Sequence, residues 1–159
     1  MYVRDESLNR SQLLKRLDEA WQTLNEAYSG LSDKAMTDSC VTGTWSIKDL
    51  IGHVTSWEEE SLKHLPLILA GEKTPRYSVM YGGIDAFNAE TTERSRKLSL
   101  SEVLRQRDDT HRRLIAFLQS VPEDQFFRET RFRRRLRLDT YSHYAEHTKA
   151  IRTWKERRS

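Results

Sequence analysis

The stretch SHYAEHTKAIRTW, residues 142–154, carries His143 and His147 four positions apart. On an α-helix such a pair is separated by roughly 40° around the axis and roughly 6 Å along it, so both imidazoles point to one side and can bite one metal ion. Ile151 and Trp154 continue that stripe, which turns the pair inward. His53 lies three residues after Leu50 and four before Trp57, on the border of a second apolar helical stripe. Three neutral imidazoles around a divalent cation leave at least one position for water or substrate, the layout of a catalytic metal site. A lone inward-facing histidine is more often a hydrogen-bonded core residue than a ligand, and many helices carry an i,i+4 histidine pair by chance. The residues alone leave both alternatives open.

The remaining chemistry-bearing residues are weaker candidates. His111 sits on an apolar stripe and reads as structural. His64 shares a face with His53 but lies roughly 16 Å further along the helix, too far to join the same ion. Asp49, one turn before His53, can serve as a fourth ligand or as an acceptor for an imidazole N–H; its role in capping a helix is the simpler account. Trp45 and Trp57 read as core anchors, with Trp57 placed to wall the site. Cys40 is the single cysteine and has no base in its local sequence. The cluster Arg128, Arg131, Arg133, Arg134, Arg135 and Arg137 can bind a carboxylate or phosphate through bidentate pairs. The simpler account is a solvated linker whose charges pair with acidic residues in 123–129.

Helices must position these residues. Only 6 glycines and 3 prolines occur in 159 residues, against 32% charged and 36% hydrophobic residues, which favours a mostly helical, single-domain chain over 1–159. Four long helical patterns are expected and no internal repeat. The first runs from about Leu8 to Leu31, with Leu13, Leu17, Trp21, Leu24 and Tyr28 at helical steps. The second opens at Ser46, an N-cap with Asp49 in the first turn; Pro66 should kink it or start a separate piece, and Gly71 ends it. A long connection follows over 71–83, carrying Tyr77, Val79, Met80 and Tyr81, then a brief helix after Ile84. Ser99 and Glu102 form a capping box for the third long helix, which Pro122 stops. In 123–139, Phe132, Leu136 and Leu138 keep a two-residue phase, so part is expected to be extended. The last helix is expected to begin near Leu138 or Asp139.

The chain's longest apolar run, LPLILA at 65–70, is too short to span a bilayer. The start lacks the apolar core of a secretory signal, and one cysteine fits a reducing cytoplasm. A net charge of +3 does not by itself argue for nucleic acid.

The segments GTWSIKDLIGHVTSWEEE, 43–60, and DTYSHYAEHTKAIRTW, 139–154, together resemble the DinB/YfiT-like superfamily of four-helix bundles, and within it the ClbS/DfsB-type branch. GGIDAFNAE, 82–90, is similar to the segment that follows the family's long crossover. The resemblance implies an all-α four-helix bundle with a long crossover between its second and third helices. It implies a metal triad in which His53 takes the first position and His143 and His147 the other two, while His111 has no place in the pattern. It implies a divalent metal such as Zn, Ni or Fe, a low-molecular-weight thiol as cosubstrate, and thiol transfer to, or hydrolysis of, a small electrophile. The alternative it implies is a ClbS-like bundle that binds and sequesters a genotoxin without turnover. A small-molecule substrate and a homodimer are the expected partners; a membrane and nucleic acid are not.

Overall fold

The computed structural model describes residues 8–38 and 40–158. Its long helices are α1 (Arg10–Ala27), α3 (Ile47–Leu69), α6 (Leu100–Ser120) and α8 (Tyr141–Arg158), with the shorter α2 (Asp33–Asp38), α4 (Tyr77–Met80), α5 (Ile84–Arg96) and α7 (Arg131–Asp139) between them. The four long helices form the bundle: α1 lies on α8, α3 on α6, and α5 and α7 lean on α3. No strand occurs among the described residues, and no helix among them is long and apolar enough to cross a membrane.

Local chemistry sets the helix starts. The Asn9, Ser46 and Ser99 side chains each accept from an N3 backbone N–H, while Gln12, Asp49 and Glu102 return the bond to the cap residue's own N–H. Each box satisfies two donors that a helix start leaves without partners, worth roughly 1 kcal/mol per cap. Helix α6 stops at Val121, whose extended backbone (φ −74°, ψ 137°) is what the following Pro122 favours. The core is built from Leu13, Leu17 and Leu24 of α1, Ile47, Leu50, Val54 and Leu65 of α3, Val103, Leu114 and Leu118 of α6, and Tyr144 and Ile151 of α8, all at most 5% exposed.

Four boundaries differ from expectation. Helix α1 ends at Ala27, because the chain turns through Gly30 in the left-handed region (φ 78°); Leu31 still packs against the core from beyond that turn. Helix α3 continues through Pro66 to Leu69 without a break. Residues 131–139 are helical, not extended: Thr130 caps α7 by accepting from the Arg133 N–H. Helix α8 is separate from α7, divided at Thr140 (φ −122°, ψ −103°).

Gly52 lets α5 approach α3. A Cβ there would lie 2.2 Å from Ser95 Oγ and 3.0 Å from Ser95 Cβ. Gly52→Ala gains helix propensity of about 1 kcal/mol but overpacks this contact at about 1–3 kcal/mol. We expect a net loss in urea unfolding, and a smaller loss when Ser95 is also replaced by Gly, since residues in contact couple. Equal effects in both backgrounds would place the strain elsewhere.

Candidate metal centre

The GTWS stretch builds one wall of the site. Gly43 adopts φ 57°, closing a tight turn in which the Trp45 N–H donates to the Thr42 carbonyl at 2.9 Å. That turn lays the Trp45 ring against His53, centroids 4.6 Å apart, and leaves Ser46 to start α3. Two turns on, His53 points into the bundle at 5% exposure. Helix α8 brings His147, 8% exposed, and half-buried His143 to the same point.

The three rings converge. His143 Nε2 lies 2.9 Å from His53 Nε2 and 2.9 Å from His147 Nε2, and one nitrogen from each residue falls within 4.8 Å of the others. Burial, followed by the neighbouring charges of His143 and His147, lowers the His53 pKa to about 2. Burial and His147 lower that of His143 to about 3. His147 is also lowered, by burial. All three are therefore neutral near pH 7, the state in which imidazole can ligate.

Whether this donor set suits a metal can be tested on His143. Its Nε2 carries either one hydrogen or one lone pair, yet it faces two rings at hydrogen-bonding distance. Only one of those contacts can be a well-formed hydrogen bond. The Nδ1 atoms of His53 and His143 are buried without partners. A single cation accepting a lone pair from each Nε2 would use all three at once, so the residues fit a three-nitrogen divalent site.

Asp49 is not part of this cluster. It accepts the Ser46 N–H at 3.0 Å and pairs with Arg96 at 3.3 Å, so its capping role holds. His64 binds Glu60 at 3.1 Å, and His111 binds Glu58 at 3.2 Å; neither reaches the triad. Trp57 stands 6.4 Å from the His143 ring, and its indole N–H donates to Asn88 Oδ1 at 3.0 Å. A groove of about 1060 Å³ runs between α3, α5 and α6 along Gly52, Thr55, Ser56 and Glu59, and no triad histidine lines it.

The arginine cluster is solvated only in part: Arg128, Arg131 and Arg134 are exposed, but the segment from Arg131 is helical and not a linker. Arg133 is fully buried in α7 and donates to the Phe126 carbonyl at 3.1 Å. Arg137 makes a two-pronged pair with Glu129 at 2.7 and 2.9 Å, the acidic pairing expected from 123–129. Arg135 donates to Asp139 and to the Tyr77 hydroxyl, both at 2.6 Å.

That last contact anchors the crossover. The Tyr77 hydroxyl donates to the buried Glu60 carboxylate at 3.0 Å, and its ring packs on Trp57 and Phe87. Val79 and Met80 on the same turn are 81% and 47% exposed, so they do not close over the histidines. Sequence periodicity missed Glu60 and Glu58 because carboxylates default to the surface. Tyr77→Phe keeps the ring and removes both hydroxyl bonds. We expect amide exchange over residues 72–83 to accelerate about tenfold or more; unchanged exchange would mean that ring packing alone holds α4.

Four long helices around three converging histidines define a helical bundle with an inter-helix histidine triad. The chain belongs to the DinB superfamily, whose family model matches residues 16–149. Among solved structures, it is similar to the colibactin self-resistance protein ClbS in complex with a dsDNA (14% identity, 98% of each chain, TM-score 0.80). It is also similar to DfsB, a sibling lethal factor precursor (17% identity, 94% of this chain and 96% of that one, TM-score 0.78). A Streptococcus pneumoniae protein aligns at 14% identity over 94% of this chain and 91% of that one, TM-score 0.76. At these identities the structures establish a shared fold. No curated protein matches the chain in sequence.

Proposed function

We propose that this protein is a metal-dependent enzyme in which His53, His143 and His147 hold a divalent ion and the substrate is a small electrophile, taken up by thiol transfer or by hydrolysis. The observation that carries this is the meeting of three neutral imidazole nitrogens at His143 Nε2. A divalent ion there would lower the pKa of a bound thiol or water and supply a nucleophile near neutral pH. The chain's own contribution is to keep three lone pairs unprotonated and to wall the site with Trp45 and Trp57. His143, the least buried of the three, marks the side open to substrate.

A second reading is a bundle that sequesters a reactive ligand without turnover. It is favoured by the fold shared with ClbS, described as a self-resistance protein. A panel of small electrophiles, with and without added metal and thiol, separates the two. Catalytic turnover that chelation abolishes and metal restores supports the enzyme; stoichiometric binding with no turnover supports sequestration. Because ClbS was solved with a dsDNA, duplex DNA belongs in the same assay. Affinity that falls steeply with salt would overturn our expectation that nucleic acid is not a partner. We further propose a homodimer through the exposed Val79 and Met80. Sedimentation of the Val79→Asp, Met80→Asp double mutant should then give a monomer, and a dimer that persists places the interface elsewhere.

A further inference from the structure

A second buried polar cluster lies about one to two helical turns from the triad, and each long helix gives it one side chain. Helix α3 supplies Glu58, 1% exposed, and α6 supplies His111, whose Nδ1 lies 3.2 Å from the carboxylate. Helix α1 supplies Trp21, stacked on the His111 ring at 3.9 Å with 9° between planes. Helix α8 supplies Tyr144, fully buried, its ring 6.4 Å from that of His111 and its hydroxyl without a formed hydrogen bond. Tyr144 directly follows His143 and precedes His147 by three residues, while Glu58 follows His53 by five, roughly 7–8 Å along α3. The cluster therefore joins the same two helices that carry the triad.

Apolar helix contacts tolerate repacking, whereas a metal site needs ligand distances held to about 0.2 Å. A buried carboxylate is more directional: its pair with His111 holds only over a narrow range of α3–α6 placements, and the Tyr144 ring, 6.4 Å from that of His111, carries the constraint to α8. We infer that Glu58, with His111 and Tyr144, is a positioning element that sets how α8 sits against α3 and so fixes the spacing of His53 from His143 and His147. The inference rests on the metal reading above for its consequence, but the geometry it describes exists in the metal-free protein.

Cobalt(II) binding to the whole chain tests it, because visible ligand-field bands report coordination geometry independently of stability. Glu58→Leu removes the carboxylate and leaves buried His111 without its partner, a destabilising change, so the variant's folding is checked first. The substitution should weaken Co²⁺ binding about 10–100-fold, the range for groups that orient ligands, and alter the band. Glu58→Gln, whose carbonyl still accepts, should restore near wild-type binding. Tyr144→Leu removes the ring that meets His111 and carries the test if Glu58→Leu does not fold, with an expected loss of about tenfold. Folded variants with wild-type Co²⁺ affinity and spectrum would overturn the inference. In parallel, imidazole ¹⁵N shifts of the metal-free proteins report the His53–His143 contact. Should the wild type bind no Co²⁺, the metal reading fails. A displaced contact in Glu58→Leu would then still support positioning, and an undisturbed one would overturn it.

Discussion

His147→Ala should reduce divalent-metal affinity more than about 100-fold, beyond the range seen when only an orienting group is lost, while the bundle stays folded. His147 contributes one of the three converging nitrogens, and two imidazoles on different helices make a poor chelate. Its packing role is smaller. At 8% exposure it borders a small void of about 10 Å³, lined also by Trp21, Leu50, Val54 and Ile151. Truncation enlarges that void and should cost about 1–3 kcal/mol in the metal-free protein. Two measurements separate the effects. Saturating Zn²⁺ at about 1,000 times its Kd should add about 4 kcal/mol to wild-type stability and close to nothing to the variant. Denaturant unfolding without metal should show both proteins cooperative. A variant that unfolds without metal makes His147 a structural residue, and one that keeps the Zn²⁺ increment removes it from the ligand set.

The triad was legible in the sequence because its parts obey local rules. His143 and His147 share a helix face by spacing alone, and the Ser46–Asp49 box fixes where α3 starts and hence which way His53 points. The meeting of α3 with α8 is a tertiary fact, which spacing could not supply and the family likeness did. Helix α7 was misread for a definable reason. Phe132 and Leu136 are four apart and both buried, a helical spacing, but Leu138 two further on suggested alternation; Leu138 proves to be 59% exposed. The carboxylates of Glu58 and Glu60 were invisible for another reason. In the run Glu58-Glu59-Glu60 only Glu59 is substantially exposed, and nothing in residue type distinguishes a buried, partnered glutamate from a solvated one. Tyr77 stands in the sequence beside Val79, Met80 and Tyr81 in the long connection, yet its hydroxyl belongs to a network that no local pattern encodes.

Acid should destabilise the metal-free protein from about pH 6.5 downward, and the triad sets the sign. His53, His143 and His147 all have folded pKa values below the ordinary 6.5, about 2 and about 3 for the first two. Below pH 6.5 the unfolded chain takes up protons that the folded triad refuses, so stability falls as pH falls, by up to a factor of ten in the folding equilibrium per pH unit for each histidine. Above pH 6.5 the three contribute no slope. Glu58 and Asp139 act oppositely: burial raises both, so the folded state binds their protons first and gains stability as pH falls toward the ordinary carboxylate range. A comparison with His53→Gln cancels these carboxylates. The variant should lose about one proton's worth of slope between pH 6.5 and 4.5, and identical slopes would show that His53 is protonated, or solvated, in the folded chain. The same depressed values predict how metal binding responds to acid. An exposed three-histidine chelate loses affinity steeply below pH 6.5 because protons compete for every lone pair. Here the His53 and His143 lone pairs stay free, so as pH falls through 6.5 the Zn²⁺ association constant should fall by no more than the one proton that His147 can take up. Competition titrations at pH 7 and pH 5.5 decide the matter: a fall approaching tenfold per pH unit for each of three protons would mean that the histidines are not desolvated, and the buried geometry could not then be what keeps the site ready for its ion.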